Sequence, residues 1–561
     1  MVETEPDPDA RTGTESRADV PAAGGTAHSR GPDRLWRWSA AASVLIVLVL
    51  HTVVARGART PSFPFDEVVL LQYSKFLSGA GPVTPPRGAG YFPAWSVVMA
   101  PIWWFTENPA VAYRVAIGLG VVVAVATIWP LARAVTRLGL TVPQATVVAS
   151  LVMALPARTV QSGYVTSEKL LFLALACTVL AALRLWEKPT VPRALVFGLA
   201  AAVLATTHAR AVVLLIACVI WLLLLAIRSW RAALAGIAVA LPLGYLAFWS
   251  GGRLNQYLGG GFSQGEKVLS NLLESPPSII LRATVGQAWE QTAGSLGLVA
   301  VGLVVLLVLV WRELRHGRSI GPACLLAAML LGVAVLSIGQ WASESRLYLA
   351  SWRRLDAWLY GRYLDPVTAL LVALGAAAMI RGASRKVLAP ALALIAGLVV
   401  VTVFWLAPDA PTWGYVTPAH IPGVMPWFWT LPEATSETWP WGLCRASRTR
   451  TASGCSRASR RCCCSSRSWP SAGTVPARPR SSSRPPSSPR RRGRSPPPAP
   501  PTTSRASREA APPSPGRSTA SRRSTTVRSP SSSTAPARPG RATTPSCRTS
   551  SPTGSIPPRW A

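Results

Sequence analysis

EKLLFLALACTVLAALRLWEKPTVPRALVFGLAAAVLATTHARAVVLLIACVIWLLLLAIRSWRAALAGIAVALPLGYLAFW occupies positions 168–249. Four apolar runs lie within it, at 168–186, 192–207, 209–227 and 232–249. Charge sits at the start and at the joints: Glu168 and Lys169, then Arg184, Glu187, Lys188 and Arg193, then His208 and Arg210, then Arg228 and Arg231. Each run approaches the roughly 20 residues that cross about 30 Å of hydrocarbon. A backbone in lipid must satisfy its own polar groups, so these runs are expected to be helices.

The same grammar extends outward. Further apolar runs lie at 40–55, 111–132, 142–157, 294–311, 320–340, 363–380 and 387–406, for an expected eleven transmembrane helices. From a cytoplasmic N-terminus, the inside connections carry Arg133 and Arg137; Arg184, Lys188 and Arg193; Arg228 and Arg231; Arg312, Arg315 and Arg318; and Arg381, Arg385 and Lys386. This is a repeated positive-inside pattern. The first run starts too deep in the chain, and without a cleavage site, to be a signal peptide. The expected fold class is an all-α polytopic membrane protein in the cell membrane, its catalytic face external. Segment 93–105, which holds Trp103 and Trp104, is expected to lie in the interface, where an indole keeps its ring apolar and its N–H wet. Trp405, Trp413, Trp427 and Trp429 mark the last outer segment in the same way.

Composition divides the chain into three parts. Residues 1–33 are polar and expected to be disordered, 34–440 form the membrane domain, and 441–561 are an Arg/Ser/Pro-rich tail. Residues 1–440 hold 33 Lys+Arg and 22 Asp+Glu, whereas the tail holds 24 Arg, no Lys and one acid, Glu509. The sequence pI of 11.4 therefore describes the tail, and the membrane domain gives no support for nucleic-acid binding. From Trp441 on, 116 of 121 residues are Ser, Pro, Thr, Ala, Arg, Gly, Cys or Trp. These types share codons with C or G in the middle position, the signature of a GC-rich gene read out of frame. The tail reads as a frameshifted product starting between Glu437 and Arg445; a genuine low-complexity tail is the alternative. Cys462, Cys463 and Cys464 have no spaced partner set for zinc, and no disulfide framework is readable.

Chemistry gathers on the outer side. Asp66 and Glu67 follow Pro64 in PFDEVVLL and are expected to open a short amphipathic helix. Each acid is either a helix-start residue or a carboxylate base. Glu168 opens the fourth run with the same two readings. His208 and Arg210 crowd a tight outer turn, where a charge is snorkelling, paired or functional. Arg353, Arg354, Arg362 and Tyr363 lead into the run at 363–380, against the charge rule, and guanidinium forks match phosphate oxygens. Acids in the first outer loop and cations at later outer helix ends suit an enzyme that takes a group from a lipid phosphate. A carboxylate deprotonates the acceptor, and cations stabilise the departing phosphate. No metal set and no cofactor is called for.

Phe65-Asp66-Glu67, Gly90-Tyr91-Phe92-Pro93, Ser167-Glu168 and Tyr360-Gly361-Arg362-Tyr363 resemble motifs of the GT-C fold glycosyltransferases, in particular the polyprenyl-phosphate-sugar-dependent 4-amino-arabinose and protein-mannosyl transferase relatives. The resemblance covers about 36–440. It implies inverting transfer from a polyprenyl-phosphate-linked sugar to an envelope glycan, lipid or protein, with Asp66 as base. Glu67 and Glu168 match accessory acids, and Arg362 with Tyr363 a donor-phosphate contact. Relatives often carry an external C-terminal domain, which the tail does not resemble. Two other readings remain: a transporter or lipid flippase, which calls for mid-membrane ionisable residues and an internal repeat, and a polyanion-binding arm formed by the tail.

Overall fold

The computed structural model describes residues 30–81, 92–258, 265–316, 320–348, 354–410 and 416–426. Of the expected disorder of 1–33, residues 1–29 lie outside the described residues, as do the whole tail, Arg353, Tyr91, Trp413, Trp427 and Trp429, whereas 30–33 instead open the helix Arg30–Gly57. Every regular element among those described is helical.

Six helices are long and apolar enough to cross a membrane: Arg34–Gly57, Pro109–Leu138, Glu168–Glu187, Ala211–Tyr257, Pro322–Trp341 and Arg385–Asp409. A seventh span results if Pro277–Gly294 and Leu298–Arg315, which meet at 108°, are taken as one. This makes the chain a polytopic α-helical membrane protein but corrects the count of eleven. The runs at 142–157, 192–207 and 363–380 form helices of 13, 15 and 16 residues. Apolar runs of that length also suit helices packed inside a bundle, and Val148, Phe197 and Val367 are indeed fully enclosed. The runs at 209–227 and 232–249 fall in one helical stretch, Ala211–Leu258, interrupted at Ser229 by extended backbone angles.

Local sequence explains the joints. Thr141 and Gln144 form a reciprocal cap ahead of Val142–Ala154. The sharp bend after Pro277–Gly294 uses left-handed backbone at Leu296 (φ 53°) and Gly297 (φ 81°). Outward faces stay apolar: Val122, Ile227, Leu331 and Phe404 are each more than 60% exposed, as lipid contact requires.

Three apolar cores result. The largest fills the space between the long helices, around Leu175, Phe197, Leu222 and Val367. A second joins Trp341, Trp358, Tyr360, Leu406 and Ile421. A third packs Pro64–Leu77 and the short helix Ala94–Met99 on Tyr113 through Val69, Tyr73 and Trp95. The last two cores flank one end of the bundle and fix the site described next.

Candidate active site

Four helix starts meet at that end. Asp66 lies in the first turn of Pro64–Leu77, Glu168 is the first residue of Glu168–Glu187, Arg210 directly precedes Ala211, and Arg362 stands three residues before the helix Asp365–Ile380. Arg362 is the hub: its Nη1 donates to Asp66 Oδ2 at 2.5 Å, and its Nε donates to Glu168 Oε1 at 2.6 Å. Arg210 Nη2 donates to the same Glu168 oxygen at 3.3 Å, and its Nη1 donates to the carbonyl of Arg362 at 2.9 Å. Two carboxylates thus balance two guanidiniums, in a place where an unpaired charge is costly. The side chains of Glu168, Arg210 and Arg362 are almost wholly enclosed, whereas that of Asp66 keeps 14% exposure. The cluster therefore opens to its surroundings at Asp66.

Aromatic rings line the guanidiniums. Arg210 lies 4.8 Å from the centre of the Tyr363 ring, and Arg362 lies 5.4 Å from that of Phe63. His208 packs edge-on to Tyr363 and accepts the backbone N–H of Arg210 at Nδ1. Burial, followed by the Arg210 charge, holds the His208 imidazole well below its usual range, so the ring is neutral. Glu168 Oε2 and Arg210 Nε find no hydrogen-bond partner among the described residues.

The capping alternatives are answered by these partners. Asp66 and Glu168 turn oxygens to guanidiniums, and neither helix has a side-chain cap bond at its N-cap residue. Arg210 is enclosed and paired, so it does not snorkel.

Glu67 belongs elsewhere, despite its place beside Asp66. It is fully buried, and its oxygens accept the N–H of Phe63 at 2.8 Å, the N–H of Val165 at 2.7 Å and the hydroxyl of Tyr113 at 3.0 Å. Burial pushes its carboxyl up, against the pull of these donors. Glu67 ties the start of the helix Pro64–Leu77 to the turn that presents Glu168.

Arg354 also stands apart from Arg362. It pairs in bidentate fashion with buried Asp356, at 3.0 and 2.8 Å, and Asp356 Oδ2 lies 2.7 Å from His420 Nδ1. Burial raises the Asp356 carboxyl, but the bonds from His420 and Arg354 outweigh it and bring the pKa down to about 2. The His420 carbonyl accepts the N–H groups of Gly361 and Arg362 at 2.9 and 3.2 Å, so this second cluster holds the backbone of the hub. His420 was missed in the sequence, because a lone His after an unremarkable stretch carries no local signal.

A third buried group, also missed, lies just behind. Gln291 Nε2 donates to Glu290 Oε2 at 2.6 Å and to Asp365 Oδ1 at 2.7 Å, while Arg158 faces Asp365 at 3.5 Å. Glu290 sits against Gly361, where a Cβ would collide with its carboxylate, so any larger residue there would have to displace Glu290 from its partners. Among the described residues no three His, Cys, Asp or Glu side chains form a metal-ligand group.

No protein-family model and no curated protein matches this chain. Among solved structures it is similar to "ArnT from Cupriavidus metallidurans bound to Undecaprenyl phosphate", at 16% identity and a TM-score of 0.40, over 67% of this chain. The chain spans 64% of the length of that protein.

Proposed function

We propose that this protein is an integral membrane glycosyltransferase that moves a sugar from a polyprenyl-phosphate donor to a cell-envelope acceptor on the external face. One observation carries the reading: Asp66, Glu168, Arg210 and Arg362, drawn from four separate segments, form one charge-balanced cluster at helix N-termini, open at Asp66. Positive helix ends and two guanidiniums suit a phosphate. In the donor-free state Arg362 holds Asp66. An arriving donor phosphate competes for Arg362 and releases the Asp66 carboxylate towards the acceptor.

The transfer then balances as a single displacement. The acceptor hydroxyl gives its proton to Asp66 as its oxygen bonds the anomeric carbon. The bond from that carbon to the phosphate oxygen breaks, and the departing polyprenyl phosphate keeps the electron pair, stabilised by Arg362 and Arg210. Tyr363 and His208 shape the wall beside these guanidiniums. Glu168 holds both of them in place, and Glu67 positions the loop that carries Asp66.

The orientation belongs to the same proposal: the N-terminus is cytoplasmic, the cluster end faces outward, and residues 441–561 are an out-of-frame tail outside the working domain. The test is transfer by membranes supplied with polyprenyl-phosphate sugars. Asp66→Asn should lower the rate about 100-fold or more while the protein inserts normally. Full activity in that variant would remove the base from the mechanism. Lipid translocation without transfer, in the wild-type protein, would instead establish the flippase reading.

A further inference from the structure

The helix Glu168–Glu187 leads away from the cluster to a second feature. Between Glu168 and Trp186 it rises about 27 Å, at about 1.5 Å per residue, close to the thickness of a hydrocarbon core. At that far end a groove of about 330 Å³ opens between the span Pro109–Leu138, this helix, and the helices Leu298–His316, Pro322–Trp341 and Asp365–Ile380. Its walls are apolar, with Leu131, Val179, Leu326 and Leu370 among them, and its mouth carries Trp186, Arg312 and Glu313.

The two charges at the mouth are not equivalent. Glu313 accepts the N–H groups of Ala323 and Cys324, both at 3.0 Å, and so caps the helix Pro322–Trp341. Arg312 is exposed and makes no hydrogen bond or ion pair among the described residues. The rim around it is basic: Arg228 lies over Trp186 at 4.6 Å, and Arg315 lies over Trp311 at 4.2 Å.

An apolar groove inside a bilayer does not stay empty. Its walls would forgo dispersion contacts, and water finds too few polar partners there. A hydrocarbon chain from the surrounding lipid is the available filler, a Trp marks the interfacial depth, and an unpaired guanidinium matches a phosphate. We propose that this groove seats one acyl chain of an anionic phospholipid whose phosphate rests on Arg312, in the leaflet opposite the Asp66–Arg362 cluster. The site is independent of the transferase reading and stands or falls without it.

Thermal unfolding of the full chain in detergent tests the assignment. Phosphatidylglycerol should raise the midpoint about 2–4 °C beyond phosphatidylcholine with the same chains, and inorganic phosphate alone should not. Arg312→Gln should abolish the difference between the two lipids while leaving the lipid-free midpoint unchanged, because the side chain is exposed and makes no hydrogen bond or ion pair among the described residues. Ala323→Phe, which narrows the mouth, should reduce the response to both lipids. Equal shifts from the two lipids in the wild-type protein would overturn the proposal. So would a phosphatidylglycerol preference that survives Arg312→Gln, or a shift produced by inorganic phosphate alone.

Discussion

At the scale of the residue, Arg362 has a job that charge alone does not describe. Its Nε and Nη1 reach two different carboxylates, Glu168 and Asp66, from one rigid plane. A Lys offers a single nitrogen at that place and cannot span both. Arg362→Lys is therefore expected to insert and fold but to transfer sugar at least about 10-fold more slowly, read from initial rates in membranes. Arg362→Met takes from Asp66 the guanidinium it faces and leaves Glu168 with Arg210. It should cost about 3–5 kcal/mol in detergent unfolding, the usual loss on breaking a buried pair. Glu67→Gln separates structure from chemistry. It replaces one acceptor oxygen by a donor beside the N–H groups of Phe63 and Val165, so stability should fall by about 1–3 kcal/mol. The pH–rate profile should keep its shape; a change in that shape would give Glu67 a proton-transfer role.

At the scale of the element, the short bend between Pro277–Gly294 and Leu298–His316 fixes where Glu290 and Gln291 lie relative to Asp365. Gly297 holds φ at 81°, and a Cβ there would also press on Ile395. Gly297→Ala is expected to destabilise the protein by about 1–2 kcal/mol from the left-handed backbone alone. The comparable lesson lies in the short helices. Val142–Ala154, Val191–Ala205 and Asp365–Ile380 read in the sequence like any other apolar run, because hydropathy reports what a side chain avoids and not which surface it meets. Lipid and a neighbouring helix are equally apolar, so the sequence found these elements but overstated how many are long enough to cross alone.

At the scale of the whole molecule, acid should loosen the end of the bundle that carries the site. His420 is held below its ordinary value of 6.5 by burial, so the unfolded ring takes up a proton that the folded one refuses as pH falls below that value. Asp356 has the same sign: its stabilising charge is complete above its ordinary value of 3.8 and is lost as pH falls towards about 2. The contribution of this end to the thermal midpoint should therefore drop from pH 7 to 5, with His208, also held low by burial, adding to the loss, then further from pH 4 to 2, and His420→Gln should make the first step smaller. A step between pH 7 and 5 that His420→Gln leaves unchanged would contradict a buried neutral His420. Truncation tests the same architecture. A chain ending after residue 440 should keep its midpoint, whereas one ending after residue 415 loses the His420 carbonyl that holds Gly361 and Arg362 and should lose transfer.

The sequence by itself determined that this is an all-helical membrane protein, because runs of apolar residues punctuated by short basic joints leave a backbone in lipid no alternative to helices. It also singled out Asp66, Glu168, Arg210 and Arg362, since charge beside such runs stands out against an apolar background. The tertiary structure alone decided which of these side chains touch. Asp66 and Arg362 are separated by nearly 300 positions, and only packing brings them to 2.5 Å. Adjacent Asp66 and Glu67 part company for the same reason: successive residues on a helix point about 100° apart, so one faces Arg362 and the other the interior around Tyr113. His420, Asp356, Glu290 and Asp365 gave no usable local pattern, because a buried polar network is defined by its partners across the fold and not by its neighbours along the chain.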